Sequence, residues 1–489
     1  MVGGMRGEIE AEWASAELGH STRTARVQAV GRRWAAAPQA SFPKMVDSDA
    51  ELQGLYGLLE NDAVDYRELL AAHARAARDR IVEARCSTIL IVHDTTEFSF
   101  GGESIRKDLG WVSRTTQGFC AHIALALSAD GAARPFGVVG LSTIMRERPE
   151  PREKGAKKPH DSKLTCRDPE RESLRWGALV DETSELFRGH AVPIHISDRE
   201  ADAYDYFCGR LAAGQRFVVR AREFQRTVTV LDHDVAHEPS RLRAVAQRAV
   251  PVVAREAKLN RRPPSAFPTV RKRHPPRGER VAHLEFAAER VRVARPAHLP
   301  HELAATIDIN VVHVREPEPP DDAEPVEWLL LTTEPISTAE EILRVVDYYR
   351  ARWTIEELNQ AIKTGCEYES RQLESAHALL IALAICIPVA WQMLALRHQS
   401  RVDPDAPAST VVSDKRLAAL RTIARKPLPK SPTVLEVFLA IAALGGHIAK
   451  NGRPGWKTLR LGLDHLMIVE AAFEARDREK EGGRPEFDE

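Results

Sequence analysis

At 489 residues the chain exceeds what one hydrophobic core usually supports, so the expectation is a central domain with smaller domains attached, roughly 2–4 units in all. A hydrophobic share of 43% with 28% charged residues is ordinary for a soluble protein and argues against a disordered chain. Lys and Arg number 69 against 70 Asp and Glu, a formal net charge of −1, which excludes a global basic field and leaves any polyanion to be held by local patches.

The first residues, MVGGMRGEIEAEWASAELG, lack the apolar stretch of a signal peptide. Residues 8 to about 75 read as Ala-rich helices, with a turn-like break over residues 37–43. Within them STRTARVQAVGRRW sets Arg23, Arg26 and Arg33 at helical spacing, with Arg32 beside them. Such a stripe is either a solvated helix face or a row of phosphate donors, since Arg and Lys carry most DNA affinity.

From Ser87 the pattern changes to strands. STILIVHDTTEFSF is an apolar run expected to end at Asp94, and AHIALALS and PFGVVGLS follow as a hairpin around Asp130-Gly131. The charged segment between Arg146 and Arg171 has no apolar period and reads as a loop. A helix (SLRWGALVDETSELF), a strand ending at Asp198 (VPIHISD), a second helix (AYDYFCGRLAAG) and the strand RFVVRA come next. Strands interleaved with helices indicate an α/β core.

Residues of about 222–327 interrupt that core. Alternating stretches there flank the basic, Pro-rich RRPPSAFPTVRKRHPPRGER, which suggests a mostly β insertion with a basic loop. The core resumes with WLLLTTE and a helix that Ser337 and Glu340 would open as a capping box. Further on, LLIALAICIPVAWQMLAL (379–396) approaches a membrane span in length, but Pro388 and Gln392 interrupt it, so the expectation is a helix buried in the core or a dimer interface. The chain closes with helices and an acidic tail. Its cysteines, at positions 86, 120, 166, 208, 366 and 386, form no CxxC pair, which disfavours a zinc site or a disulfide framework and fits a reducing cytoplasm.

The chemistry is carried by carboxylates. Two-metal phosphodiester transfer needs hard oxygen ligands converging from separate elements. Asp94 and Asp198 at strand ends are suitable, although an Asp in such a place is more often a cap or turn residue. In YYRARWTIEELNQAIKTG, Thr354 and Glu357 would cap a new helix, with Glu356 in its first turn, where the helix dipole favours an ionised carboxylate. Gln360 and Lys363 follow at helical spacing, and Tyr349 and Arg352 share a face of the preceding helix. A hydroxyl, a guanidinium, a carboxylate and an ammonium on one wall suit a metal plus a phosphate.

The spacing Tyr349, Arg352, Glu356, Lys363 resembles the signature of the DDE transposases of the insertion-sequence-four family. AEWASAELGHSTRTARV, HDTTEFSF, SDREADAYDY, RFVVR, EWLLLTTEP and LGGHIAKNGRPGWKTL extend the resemblance over nearly the whole chain. It implies an α/β, RNase H-like mixed-sheet core over residues 76–375 carrying the β-rich insertion, a helical DNA-end-binding domain over 1–75 and a helical dimerisation domain over 376–489. It implies cut-and-paste transposition through hairpin ends, with Asp94, Asp198 and Glu356 holding two Mg²⁺ ions, for which Mn²⁺ can substitute. Tyr349, Arg352, Lys363, Arg220, Arg199 and the Arg23, Arg26, Arg33 stripe would contact DNA, and Trp328 would stack on a flipped base. Salt bridges are an equal reading for Arg199, Glu200 and Arg220, and Asp202 and Asp205 read as surface or supporting residues.

The implied partners are transposon-end and target DNA and a second copy of the chain, in the bacterial cytoplasm on the nucleoid, with no membrane and no small-molecule cofactor. Gln360 departs from the pattern, standing where a family member has a second Lys. The alternatives are an RNase H-like nuclease that only hydrolyses, or a non-catalytic end-binding inhibitor. A product starting at Met45 would lack the arginine stripe and could act as such an inhibitor.

Overall fold

The structure is a computed structural model that describes residues 9–480 except 103, 151–167, 169–170, 232–237, 265, 267, 269–270, 272–274 and 322. Most of the charged loop 146–171, Cys166, much of the basic loop in the β insertion and the end of the acidic tail therefore lie outside the described residues.

In chain order the helices before the first strand are α1 (Ser21–Ala36), α2 (Phe42–Met45), α3 (Asp49–Leu59) and α4 (Tyr66–Glu83). Strands β1 (Thr88–Phe100), β2 (Gln117–Ser128) and β3 (Pro135–Ile144) follow, then α5 (Arg175–Leu186), β4 (Val192–Ser197), α6 (Tyr204–Ala212) and β5 (Arg216–Arg220). The insertion holds β6 (Thr227–Val230), β7 (Ser240–Arg241), α7 (Leu242–Arg248), β8 (Pro251–Leu259), β9 (Arg280–Ala294) and β10 (Thr306–Arg315). After it come β11 (Glu327–Thr332), α8 (Ala339–Ala351), α9 (Trp353–Gln360), α10 (Ala376–Val402), α11 (Asp414–Ile423), α12 (Val434–Leu444) and α13 (Trp456–Lys480). The fold is mixed α/β.

The chain forms two compact units. The first comprises Met1–Ala156, Asp181–Val192 and Trp353–Glu489. Its strands β1, β2 and β3 pair antiparallel, Asp94 opposite Ile123, and every residue of β2 is buried. α4 lies on β3, and α10 lies on both. Gly137 of β3 permits the close approach of α4: its φ is +150°, and an added Cβ would come within 2.7 Å of the Ala77 Cβ. On α4, buried His73 accepts from the Val138 N–H at 3.1 Å, so its other ring nitrogen carries the proton that meets Glu12 at 2.6 Å. α10 is hydrophobic on all sides because the unit encloses it. It is long and apolar enough to cross a membrane, yet 94% of its apolar window is buried inside the protein, and Trp391 donates to the Pro135 carbonyl.

The second unit comprises Lys157–Val180 and Pro193–Arg352. Its strands run β4-β5-β11-β10-β9-β6-β7, with β8 also paired to β9. β4 and β5 are parallel and the other pairs antiparallel, so the sheet is mixed. β9 is long enough to serve two neighbours on one side, β8 along its first half and β6 near its end. Trp176, Phe207, Phe217, Val219, Leu242 and Leu331 belong to the core that joins helices to this sheet.

Two local expectations shift. β1 does not stop at Asp94 but runs on to Phe100, because Phe98 and Phe100 anchor its second half against Phe119 and Tyr368 at 5.0–6.0 Å between ring centroids. The capping box of α8 is formed by Thr338 and Glu341, one residue later than Ser337 and Glu340, the register that turns Ile342, Val345, Val346 and Tyr349 inward.

Candidate active site and nucleic-acid interface

In the first unit the relevant wall is made by β1 and α9. His93 is fully buried, and the chain reaches solvent gradually from Asp94, which is half-buried. α9 packs on β1 with Ile355 and Leu358 buried. Its polar side is tied to the strand at two points: Asn359 donates from Nδ2 to Asp94 Oδ2 at 3.1 Å, and Lys363 donates from Nζ to the Glu97 carbonyl at 2.5 Å. Lys363 sits in a π-helical turn that continues α9 and also lies 5.3 Å from the Phe98 ring centre. Glu356 is in the first turn of α9, one turn ahead of Asn359 and on the same side. Gln360 is exposed.

The neighbouring carboxylate has a different task. Glu357 does not cap the helix with Thr354; α9 starts at Trp353 directly after the turn at Arg352, and Glu357 pairs with Arg401 at 2.6 Å and Arg397 at 3.7 Å. The two cations on α10 engage the carboxylate that the local pattern would have used as a cap.

In the second unit Asp198 follows β4 and caps a short 3₁₀ turn, its Oδ1 accepting from the Glu200 N–H at 2.9 Å. Glu200 itself pairs with Arg175 at 2.6 Å. Four residues far apart in sequence converge at the end of β5 and β11. The Trp328 and Tyr349 rings meet edge-on with centroids 5.4 Å apart. The Arg220 guanidinium lies 5.6 Å from the Trp328 ring centre and donates to the Glu327 carbonyl, and Arg352 lies 6.0 Å from the Tyr349 ring centre. Burial first, and then the charges of Arg199 and Arg352, hold Arg220 below the usual guanidinium range against the pull of Tyr349. A desolvated cation beside two others and two aromatic faces is chemistry suited to a phosphate and a base.

Hard oxygens suited to a divalent cation are present on β1 and α9 in the Asp94 and Glu356 carboxylates. Beside them the amide oxygen of Asn359 is buried and has no hydrogen-bond partner among the described residues. No group of three or more His, Cys, Asp or Glu side chains that could hold a metal ion occurs among the described residues.

Comparison with known proteins bears on the start of the chain. Residues 5–64 match the sequence family described as transposase DNA-binding. Among solved structures, the chain has a likeness to the piggyBac transposase synaptic complex with hairpin DNA, determined by cryo-EM, at 11% identity and a TM-score of 0.36, over 99% of this chain and 81% of that one. That likeness is too loose to decide fold or function.

The matched segment contains α1 to α3. On α1, Arg26 is exposed, whereas Arg23 donates to the Leu18 carbonyl at 2.8 Å. Arg33 is engaged with Asp47 at 2.6 Å and Glu51 at 2.9 Å, and Arg32 with Glu10 at 2.5 Å. Partial burial pulls the Arg33 guanidinium down, but the two carboxylates more than offset it and hold it above its ordinary range. Asp202, read from sequence as surface or supporting, is a buried hub: its side chain is fully enclosed, pairs with Arg226 and accepts from the N–H groups of Arg222 and Glu223. Asp205 pairs with Arg171. Nothing local in the sequence marked Arg226 or Asn359, since each acquires its role from a partner more than twenty residues away.

Proposed function

We propose that the chain is a DNA transposase. The match of residues 5–64 to the transposase DNA-binding family carries this reading. It is supported by the order of motifs around Asp94, Asp198 and Glu356 and by the grouping of Arg220, Trp328, Tyr349 and Arg352.

The finer reading is a DDE enzyme with an RNase H-like core, acting as a homodimer on transposon ends and target DNA in the bacterial cytoplasm. Asp94, Asp198 and Glu356 would hold two Mg²⁺ ions. When bound, such ions lower the pKa of an attacking water or 3′ hydroxyl and neutralise charge on the phosphate. The remaining work belongs to the chain. Arg220 and Arg352 neutralise a strand end bent into a hairpin, Trp328 offers its ring to the base displaced by the bend, and Tyr349 supports that ring from the side. Lys363, with Arg199, Arg23, Arg26 and Arg33, would meet backbone phosphates, Arg33 after exchanging its carboxylate partners for DNA.

The test is incubation of purified protein with Mg²⁺ and linear DNA carrying the flanking terminal repeats. Hairpin ends and joined products are expected. Strands ended only by hydrolysis would replace this reading with a nuclease, and end binding without cleavage would replace it with a silent binder.

A further inference from the structure

Asn359 lies within the stretch YYRARWTIEELNQAIKTG without a role of its own there, yet its side chain reaches Asp94. Its amide nitrogen donates to Asp94 Oδ2 at 3.1 Å, while its amide oxygen is buried without a hydrogen-bond partner among the described residues. An enclosed acceptor without a partner is costly, and one beside a carboxylate is suited to a donor such as the water of a bound cation. Glu356 stands one turn before Asn359 and Lys363 one turn after, so Asn359 is the middle residue of the side that α9 turns toward β1.

We propose that Asn359 is a positioning residue for Asp94, fixing one carboxylate oxygen so that the other faces the divalent cation, and accepting from a water of that cation through Oδ1. The last torsion of a carboxylate is broad and two-fold, so a donor on one oxygen helps to set which way the other points. A neutral donor fixes it without competing for the site, whereas a Lys or Arg in this place would put a positive charge where the metal belongs. Partners of this kind set the orientation of metal ligands, and their loss weakens metal binding. The inference rests on the reading of Asp94 as a metal ligand.

The experiment uses the full chain without DNA, with Mn²⁺ as the probe titrated by electron paramagnetic resonance, together with thermal melting and binding of plain duplex. For Asn359→Ala a fall of about 10-fold or more in Mn²⁺ affinity is expected, with melting in metal-free buffer and duplex binding unchanged. Asn359→Asp replaces the donor with a second carboxylate facing Asp94, so the metal-free protein is expected to melt lower than wild type and Mn²⁺ to recover the loss. Unchanged Mn²⁺ affinity in Asn359→Ala, with Asp94→Ala losing it, would overturn the role of Asn359 and leave the metal reading intact. Equal Mn²⁺ binding by wild type and Asp94→Ala would instead remove the metal reading itself. A drop in melting that Mn²⁺ does not recover in Asn359→Asp would reduce the residue to a packing role.

Discussion

The Trp328 indole meets the Tyr349 ring edge-on, centroids 5.4 Å apart at an interplanar angle of 69°, one residue on β11 and the other on α8. The contact holds the indole upright beside Arg220 and leaves it half-buried, with surface to spare. Base stacking on such a platform is worth roughly 1–3 kcal/mol. Trp328→Ala is therefore expected to slow hairpin formation about 10-fold or more while first-strand nicking persists, and Trp328→Phe to recover part of the loss. Denaturing gels that resolve nicked from hairpin ends check this, and an unchanged hairpin yield would show that the indole is only packing.

Asp198 has an observed role and a proposed one, which substitution can separate. Its side chain caps the turn after β4 by accepting from the Glu200 N–H, and it is proposed to bind metal. Asn caps about as well as Asp but brings no charge, whereas Ala loses the cap at a cost of about 1 kcal/mol. Asp198→Asn is expected to melt like wild type and to abolish cleavage, and Asp198→Ala to abolish cleavage and melt lower. Cleavage at near wild-type rate by Asp198→Asn would remove the residue from the chemistry.

The parts of the fold that follow from local pattern were legible in the sequence, and the parts that depend on distant partners were not. Asp130-Gly131 marked the β2–β3 hairpin, and the all-round apolar character of residues 379–396 marked the buried α10. The end of β1 was misjudged because Phe98 and Phe100 are anchored by Tyr368, some 270 residues further on. Likewise Thr354 and Glu357 look like a capping box until Arg397 and Arg401 are brought alongside. At the candidate site, Arg220, Trp328 and Tyr349 could be grouped only through a family resemblance, since no helical or strand period links positions so far apart. Asn359 reads as an ordinary polar helix residue until β1 is beside it.

The enclosure of Asp202 makes it a stability residue. Its carboxylate is shared among Arg226 and two backbone N–H groups of the loop after β5. Removing one partner of a buried pair leaves the other charge uncompensated, at roughly 3–5 kcal/mol. Asp202→Ala should lower the unfolding free energy by about that much in denaturant titration. A change under about 1 kcal/mol would mean that solvent replaces the carboxylate.

The Asp464 carboxyl on α13 is pushed up to about 6 by burial, with Glu367 adding to the effect and Arg460 opposing it, and Gln39 donates to its Oδ2. A folded value above the ordinary 3.8 means that the folded protein holds the extra proton between those two values. The stability linked to that proton is complete below pH 3.8 and is lost as pH rises through about 6. Asp464→Asn keeps the acceptor for Gln39 and removes the charge, so at pH 8 it should stabilise the protein by about 1–2 kcal/mol after allowance for solvent screening. The gain should vanish in melts near pH 4. A gain that is equal at both pH values would come from packing, not ionisation.

Glu356 and Glu357 are adjacent carboxylates on α9 with opposite assignments. Glu357 faces α10, where it meets Arg401 and Arg397, and its side chain is 18% exposed. Burial, first, and then the charge of Arg401 hold the Arg397 guanidinium below its usual range, against the pull of Glu357. Loss of the carboxylate leaves two neighbouring cations facing each other, and Glu357→Gln is expected to cost about 1–3 kcal/mol of stability. With the fold intact at low temperature, Mn²⁺ affinity and end cleavage should stay near wild type. Glu356 lies a hundred degrees around the helix, one turn ahead of Asn359 on the side facing β1. Glu356→Gln should therefore melt close to wild type and lose both Mn²⁺ binding and every cleavage step. If the effects were exchanged between the two variants, the metal-binding carboxylate of α9 would be Glu357, and the proposed alignment of Tyr349, Arg352, Glu356 and Lys363 would be off by one residue.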